Sequence, residues 1–416
     1  MKKLETNKVS RRDALKLIGV GGAGLLIGAT GIEAATDKVT NFFSPAKADA
    51  REILPFYGKQ QQGITTPAQD FMYLASFKLE TTSKTDVKTM FKKWTEAAAL
   101  MSEGKDLGDS EFPSSPPIDT GEATGLQPMK LTFTFGVGPS FFDRLSIQSS
   151  KPSGLKDLPH FPGDDLREEW NGGDIVVQVC ANDQQVAFHG VRNLIRIGRG
   201  TVSLKWMQHG FQRSSGADPS GSTPRNLMGF KDGTGNPDTK DEKEMNTHIW
   251  VQNGDGPAWL TGGSYLVARR IRIRVEEWDR SSLQDQEQTF GRHRASGAPI
   301  GESNEFAKID LKKTDDNGKL LISADSHVAL ARGKGKIKIL RRSYSYTDGL
   351  DIQTGKLDAG LLFVSFQRDL EKQFIPLQDK LAKMDLLNEY IEHNGSAVFA
   401  CFPGVKNGSY IGEGLL

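Results

Sequence analysis

DIVVQVC (174–180), AN (181–182), DQQVAFHGVRNLIRI (183–197), GRGT (198–201) and VSLKWMQHGF (202–211) form one continuous stretch of the chain. The first block is a short apolar run and reads as a buried strand. The third, Asp183–Ile197, repeats its apolar residues at helical spacing and reads as an amphipathic helix. Gly198 and Gly200 mark the turn, and the last block alternates as a closing strand. Strand, helix and strand within 38 residues define the second half of a split β-α-β unit.

Upstream, Phe71–Leu79 reads as a strand. Val87, Met90, Phe91, Trp94, Ala97 and Met101 recur as one helix face, with Ser83 or Thr85 as its cap. Met129–Gly136 alternates as a further strand, and loops rich in Pro, Gly and Ser fill 104–128 and 149–173. The same order returns downstream. Ser264–Val275 reads as a strand, Gln284–Arg294 as a helix, Lys336–Tyr346 and Gly360–Gln367 as strands, Asp369–Met384 as a helix and Ser396–Phe402 as a strand. The expectation is an α+β protein: a duplicated ferredoxin-like fold with two antiparallel sheets and helices packed on them. Its halves are residues 49–215 and 216–416, divided near the Ser/Gly/Asp/Pro-rich stretch 214–223.

The 416 residues carry 53 Lys+Arg against 52 Asp+Glu, and 37% are apolar. That is a chain able to bury a core, with no net basic footprint for nucleic acid. Two Cys build neither a disulfide scaffold nor a four-cysteine metal site. Cys180 and Cys401 end apolar strands and read as buried free thiols, with a disulfide formed after export as the alternative.

Residues 1–48 have a basic start, the apolar stretch Leu17–Ile32, and Ala46-Lys47-Ala48. This is the pattern of an export signal cleaved after Ala48. The stretch has 16 residues, six of them Gly, against about 20 for a span, which weighs against an N-terminal membrane anchor. Ser10-Arg11-Arg12-Asp13-Ala14-Leu15-Lys16 resembles a twin-arginine signal, with Ala14 departing from its usual Phe. Such a signal implies a twin-arginine translocase partner and export in the folded state, a route suited to a protein loaded with its cofactor in the cytoplasm.

Gly229-Phe-Lys-Asp232-Gly-Thr-Gly-Asn236-Pro237 is the most pointed segment. Three glycines around one Asp permit close backbone approach to a ligand; a tight Asx turn is the equal alternative. Asp232, Asn236 and Asp238 could also ligate calcium, though their spacing does not follow the EF-hand. No His-x-x-x-His pair, nucleophile elbow, Walker loop or dinucleotide fingerprint occurs, so zinc-helix, hydrolase and nucleotide chemistry lack support. His327 stands alone in Ala-Asp-Ser-His-Val-Ala-Leu-Ala (324–331), where its residue type alone favours a structural role.

Gly229-x-x-Asp232-Gly233 with Thr234 and Asn236 resembles the motif of the dye-decolourising haem peroxidases. Gly63–Pro67, Gly173–Ala181, Trp206–Phe211, Gly263–Val267, Phe290–Arg292 and Leu340–Tyr346 follow in that family's order, from about residue 55 to the C-terminus. With the leader, the chain is most similar to the exported deferrochelatase/peroxidase subgroup. The resemblance implies one haem b per chain, held by the C-terminal half, with His327 as the iron ligand. It implies Asp232 as the proton-relaying acid/base and Arg341 as the cation facing peroxide, with the neighbouring Arg342 as the alternative. Gly233, Thr234, Gly235, Arg332, Gly333 and Lys334 are the implied haem contacts. Arg332-Gly333 stands where relatives often have Asn-Pro. Asn236 is read as a distal hydrogen-bond partner or the cap of its own turn.

Hydrogen peroxide and a reducing donor such as ferrous iron or a dye are the implied substrates, with iron-permease partners and a place outside the cell or on the outer face of its membrane or wall. Release of iron from haem with the porphyrin intact and non-catalytic haem carriage are the alternatives. Trp206, Tyr344 and Tyr346 are read as core residues or electron relays.

Overall fold

The computed structural model describes residues 53–110, 112–214, 216–218, 220–232, 234–332 and 337–416. The leader, the cleavage position after Ala48, and Gly233, Gly333 and Lys334 lie outside them.

Strand β1 (Phe71–Leu79) leads into the helix Lys84–Ser102, whose Ser83 hydroxyl accepts the Asp86 N–H as cap. β2 (Thr132–Val137) and β3 (Ile175–Ala181) follow. The helix Gln184–Ile197 is capped by Asp183, and β4 (Val202–Phe211) closes the first half. The second half contains β5 (Ser264–Ile273), the helix Leu283–Phe290, and the short helix His327–Arg332. It continues through β6 (Leu340–Arg341), β7 (Tyr344–Asp351), β8 (Lys356–Gln367), the helix Ile375–Met384 and β9 (Ile391–Cys401).

Each half orders its strands alike, β2-β3-β1-β4 and β7-β8-β5-β9, all antiparallel. The two sets do not form separate sheets. β2 pairs with β9 at Gly136 and Val137, β4 pairs with β7 at Phe211 and Ser345, and the ring closes. The expected two antiparallel sheets are thus one closed sheet. Closure leaves no edge in need of protection. It also explains why every residue of β3 and β5 is buried, with helices outside and side chains within.

The two faces separate by strand alternation. Tyr73, Phe77, Val177 and Val179 pack outward under Phe91 and Trp94 of the first long helix and Val191 and Leu194 of the second. Met72, Leu74, Val176, Cys180, Trp206, Tyr344, Val364 and Phe399 fill the interior. Both thiols are free and buried, and burial raises both above the ordinary thiol value. Arg270, 3% exposed, also points inside. Its guanidinium reaches Gln208 (2.7 Å), Asn394 (3.1 Å), Asp348 (2.9 Å) and Asp358 (2.8 Å), and stacks between Trp170 and Tyr346. A buried cation needs such partners, and these come from strands of both halves. Trp206, Tyr344 and Tyr346 are all core residues.

A third cluster fixes the site. Met228, Phe230, Trp278, Phe290, Leu387 and Tyr390 pack together. They tie the 229–237 segment, the helix Leu283–Phe290 and the turn after Asp385 to one apolar wedge.

Candidate functional site

Asp232, Thr234, Asn236 and Arg341 line a cavity of about 910 Å³ that continues past Thr65–Ala68, Lys130 and Arg213 of the first half. Arg341 ends β6 and Arg342 begins the break before β7; both line the cavity, and their guanidiniums are committed to different partners. Arg341 donates from Nη1 to Asp232 Oδ1 at 2.5 Å, and the two side chains are 28% and 21% exposed. Arg342 is 5% exposed and spends its guanidinium on the Thr66 carbonyl and the Gln69 side chain.

Asn236 does not cap its own turn. Its Nδ2 donates to the Arg341 carbonyl at 2.7 Å and its Oδ1 accepts the Arg341 N–H at 3.1 Å. It therefore acts as a surrogate strand neighbour and fixes the backbone that carries the guanidinium. Among the described residues no group of three or more His, Cys, Asp or Glu side chains has metal-binding geometry.

On the other side of Asp232, Glu305 is buried. Its Oε2 accepts from Lys231 Nζ at 2.5 Å and its Oε1 from the Thr234 hydroxyl at 3.0 Å. Burial pushes this carboxyl up, but the hydrogen bonds from Lys231, Thr223 and Thr234 outweigh it and hold it below the ordinary value.

His327 opens its short helix and is not part of the cavity wall. Phe290 links the two places: it stacks on Phe230 with centroids 4.1 Å apart and meets the His327 ring edge-on at 6.0 Å. Asp385 Oδ2 lies 2.6 Å from His327 Nδ1 and is buried, while His327 is 32% exposed. Asp385 Oδ1 accepts the Leu387 N–H at 2.9 Å, so the carboxylate is fixed from behind. This pairing places the Nδ1 proton toward Asp385 and leaves Nε2 as the imidazole's donor atom. Arg332 ends the same helix and donates to the Ile309 carbonyl at 2.9 Å. Gly235 is exposed in its turn.

Asp385, Glu305 and the Asn236 clamp were not identified from the sequence. Asp385 had one local signal, an Asp before Leu386-Leu387 suited to capping. Nothing in the sequence joins it to a histidine 58 positions earlier.

The closed α+β barrel presents an imidazole oriented by a buried carboxylate and a cavity lined by a paired carboxylate and guanidinium, groups able to ligate a metal and to move a proton. The comparisons give the family. Residues 61–212 match the model of the Dyp-type peroxidase N-terminal region, and residues 223–406 that of the C-terminal region. The chain is 39% identical to the deferrochelatase of Escherichia coli (strain K12), over 99% of this chain and 97% of that protein. A deferrochelatase of Shigella flexneri matches to the same extent. Ferric DtpA from Streptomyces lividans is 36% identical with a TM-score of 0.83, covering 89% of this chain and 98% of the other. A DyP-type peroxidase from Cellulomonas bogoriensis is 36% identical with a TM-score of 0.80, covering 88% and 98%. The chain belongs to the dye-decolourising peroxidase family, it is a haem-dependent peroxidase, and its cofactor is haem.

The residues present fit that group. One ring nitrogen of His327 is committed to a carboxylate, the arrangement usual for an imidazole whose other nitrogen would hold a metal. Arg292 is held below the ordinary guanidinium value by burial and by the nearby Arg341 and Arg332, against an opposing pull from Glu305.

Proposed function

We propose that the protein is an exported peroxidase with one haem b per chain, which reduces hydrogen peroxide and oxidises an external donor in the service of iron acquisition. The observation that carries this reading is the Asp232–Arg341 pair in the cavity wall, because a carrier needs neither group. When bound, the haem supplies the iron that takes electrons to peroxide. His327 holds that iron through Nε2, and Asp385 keeps the imidazole oriented. Asp232 accepts the proton of the incoming peroxide and returns it to the departing oxygen. Arg341 offers a fixed positive charge to that oxygen. Gly233, Thr234, Gly235, Arg332, Gly333 and Lys334 are the haem contacts of this reading. The matching strand order of the two halves supports a duplicated ferredoxin-like fold divided into 49–215 and 216–416.

Release of iron with the porphyrin intact is the second reading, favoured by relatives that bear the name deferrochelatase. Ferrous iron as donor would provide ferric iron to an iron-permease partner. The test is to give the purified haem protein peroxide with a dye or with ferrous iron, then to give it free haem. Oxidation of the donor with haem absorption preserved is expected. Fluorescence of metal-free porphyrin rising as haem disappears, without donor oxidation, would assign the second activity instead.

Residues 1–48 serve as the twin-arginine signal in this reading. Arg11→Lys combined with Arg12→Lys is expected to retain haem-loaded protein inside the cell, since a receptor reads the pair. The measurement is the secreted fraction, with N-terminal sequencing of the normal secreted form to find Asp49 first. Unchanged secretion of the double variant would reject the signal.

A further inference from the structure

Glu305 belongs to none of the motifs above, yet it touches the residues on both sides of Asp232. We propose that Glu305 is the positioning residue of the Asp232 loop, holding the proton-accepting carboxylate in register through Lys231 and Thr234. The proposal rests on the reading of Asp232 given above.

One carboxylate spans the turn: Oε2 takes Lys231 Nζ at 2.5 Å and Oε1 takes the Thr234 hydroxyl at 3.0 Å. Those residues stand one before and two after Asp232. The turn contains Gly229, Gly233 and Gly235, so its own backbone preferences hold it weakly. The staple is itself anchored. Arg292 donates to the Glu305 carbonyl at 3.1 Å and to the Gly297 carbonyl at 2.6 Å. Gly297 has φ +77°, and a Cβ there would stand 2.6 Å from Lys231 Cδ. The chain thus leaves room for the lysine stem to reach Glu305.

At the far end of the turn, Asn236 grips the Arg341 backbone. Asp232 lies between two fixed points, one leading to Glu305 and the other to its own guanidinium partner. Removing Glu305 leaves Lys231, 17% exposed, without its counter-charge and Thr234 without its acceptor. Asp232 then keeps its carboxylate contact with Arg341 and its backbone bond to the Pro224 carbonyl but loses the side-chain restraint on both flanks. A misplacement of about 1 Å can cost roughly 100-fold in rate.

The test compares Glu305→Ala, Glu305→Gln and Asp232→Asn with Glu302→Gln, which breaks a neighbouring pair to Lys313 that does not touch the loop. Stopped-flow spectroscopy measures the reaction with peroxide and the later reaction with donor separately. Hydrogen–deuterium exchange follows residues 229–237 with and without haem. Glu305→Ala is expected to slow the peroxide step by about 10- to 100-fold, leave the donor step and haem content unchanged, and speed exchange in the loop. Glu305→Gln keeps an acceptor for Thr234 and should fall between; Glu302→Gln should match the native protein.

An unchanged peroxide step in Glu305→Ala overturns the proposal. So does equal slowing of both steps or loss of haem, which would make Glu305 a general stabilising residue. A normal Asp232→Asn would remove the reading of Asp232 instead, and the exchange data would still judge the staple.

Discussion

His327→Ala is expected to yield folded protein with no Soret band, while alanine at His160, His189, His209, His248, His293 or His393 leaves haem bound. The reason is the geometry of one ring. Nδ1 lies 2.6 Å from a buried Asp385 oxygen, so the nitrogen left for iron is Nε2. No other described histidine combines a buried carboxylate at that distance with a place beside Phe290 and Phe230. His293 comes nearest, at 2.9 Å from Glu287, but that carboxylate is 20% exposed against 3% for Asp385. Asp385→Asn should keep the ring in place without the full charge. Loss of such a partner typically weakens metal binding or activity about 10- to 100-fold. The measurement is haem content by absorbance, followed by haem transfer to a scavenging apoprotein. A full Soret band in His327→Ala would move the ligand to another residue; transfer as slow from Asp385→Asn as from the native protein would remove Asp385 from the ligand's support.

The asymmetry between His327 and Asp385 shows what the sequence could disclose. Signals confined to one element were legible. Alternation set β1 and β4 at the observed Phe71–Leu79 and Val202–Phe211. Of the two caps the sequence offered for the first long helix, Ser83 or Thr85, Ser83 is the one that forms, a contact over three residues; Asp183, expected as the first helical residue, is instead the cap of the second. The expected alternation of Arg341 and Arg342 across one strand meets the end of β6 at Arg341, and both residues line the cavity. The segment expected as one strand over 336–346 is broken between Arg341 and Tyr344, at the place where Asn236 takes over the role of a neighbouring strand. That substitution is made by a residue 105 positions away and leaves no mark on local pattern.

Barrel closure was hidden for the same reason. Alternation tells which residues share a face, not whether two sheet edges meet. Here the edges join through very few pairs, Gly136 and Val137 with β9 and Phe211 with Ser345. The interior also misleads. Gln178, Gln208 and Arg270 point into it, and polar residues on alternate strand positions ordinarily announce a solvent face. They are tolerated because their partners arrive from other strands, and partnership over such distances is a property of the fold. The Asp232 motif was legible as a motif, whereas the Lys231 and Thr234 side chains beside it gave no sign that one distant carboxylate would hold both.

Asp232 and Arg341 are in direct contact, yet their removal should fail in different ways. Asp232→Asn preserves size and most hydrogen bonding but cannot accept a proton. Positioned acid/base groups typically contribute about 100- to 10,000-fold, and a loss in that range is expected in the reaction with peroxide. The residual rate should also lose the pH dependence that proton acceptance imposes. Arg341→Leu removes a fixed charge, which typically costs about 2.7–4 kcal/mol, or roughly 100- to 1,000-fold. It retains the carboxylate and hence the pH dependence, at a lower rate throughout. The double variant decides whether the contact matters to the reaction. Residues that act as a unit lose less together than the product of their separate losses, so Asp232→Asn with Arg341→Leu should be only slightly slower than the worse single variant. Arg342→Leu is the internal comparison, because that guanidinium is committed to Thr66 and Gln69. Its expected effect is on thermal stability, from a buried carbonyl and amide left without their donor, with the peroxide step retained in whatever fraction stays folded. Stopped-flow rates of all four variants across pH, normalised to haem content, test this directly. A collapse confined to Arg342→Leu would reverse the assignment of the two arginines. Multiplicative losses in the double variant would mean that the carboxylate and the guanidinium act on peroxide independently, and that their contact at 2.5 Å is a resting arrangement which the reaction does not use.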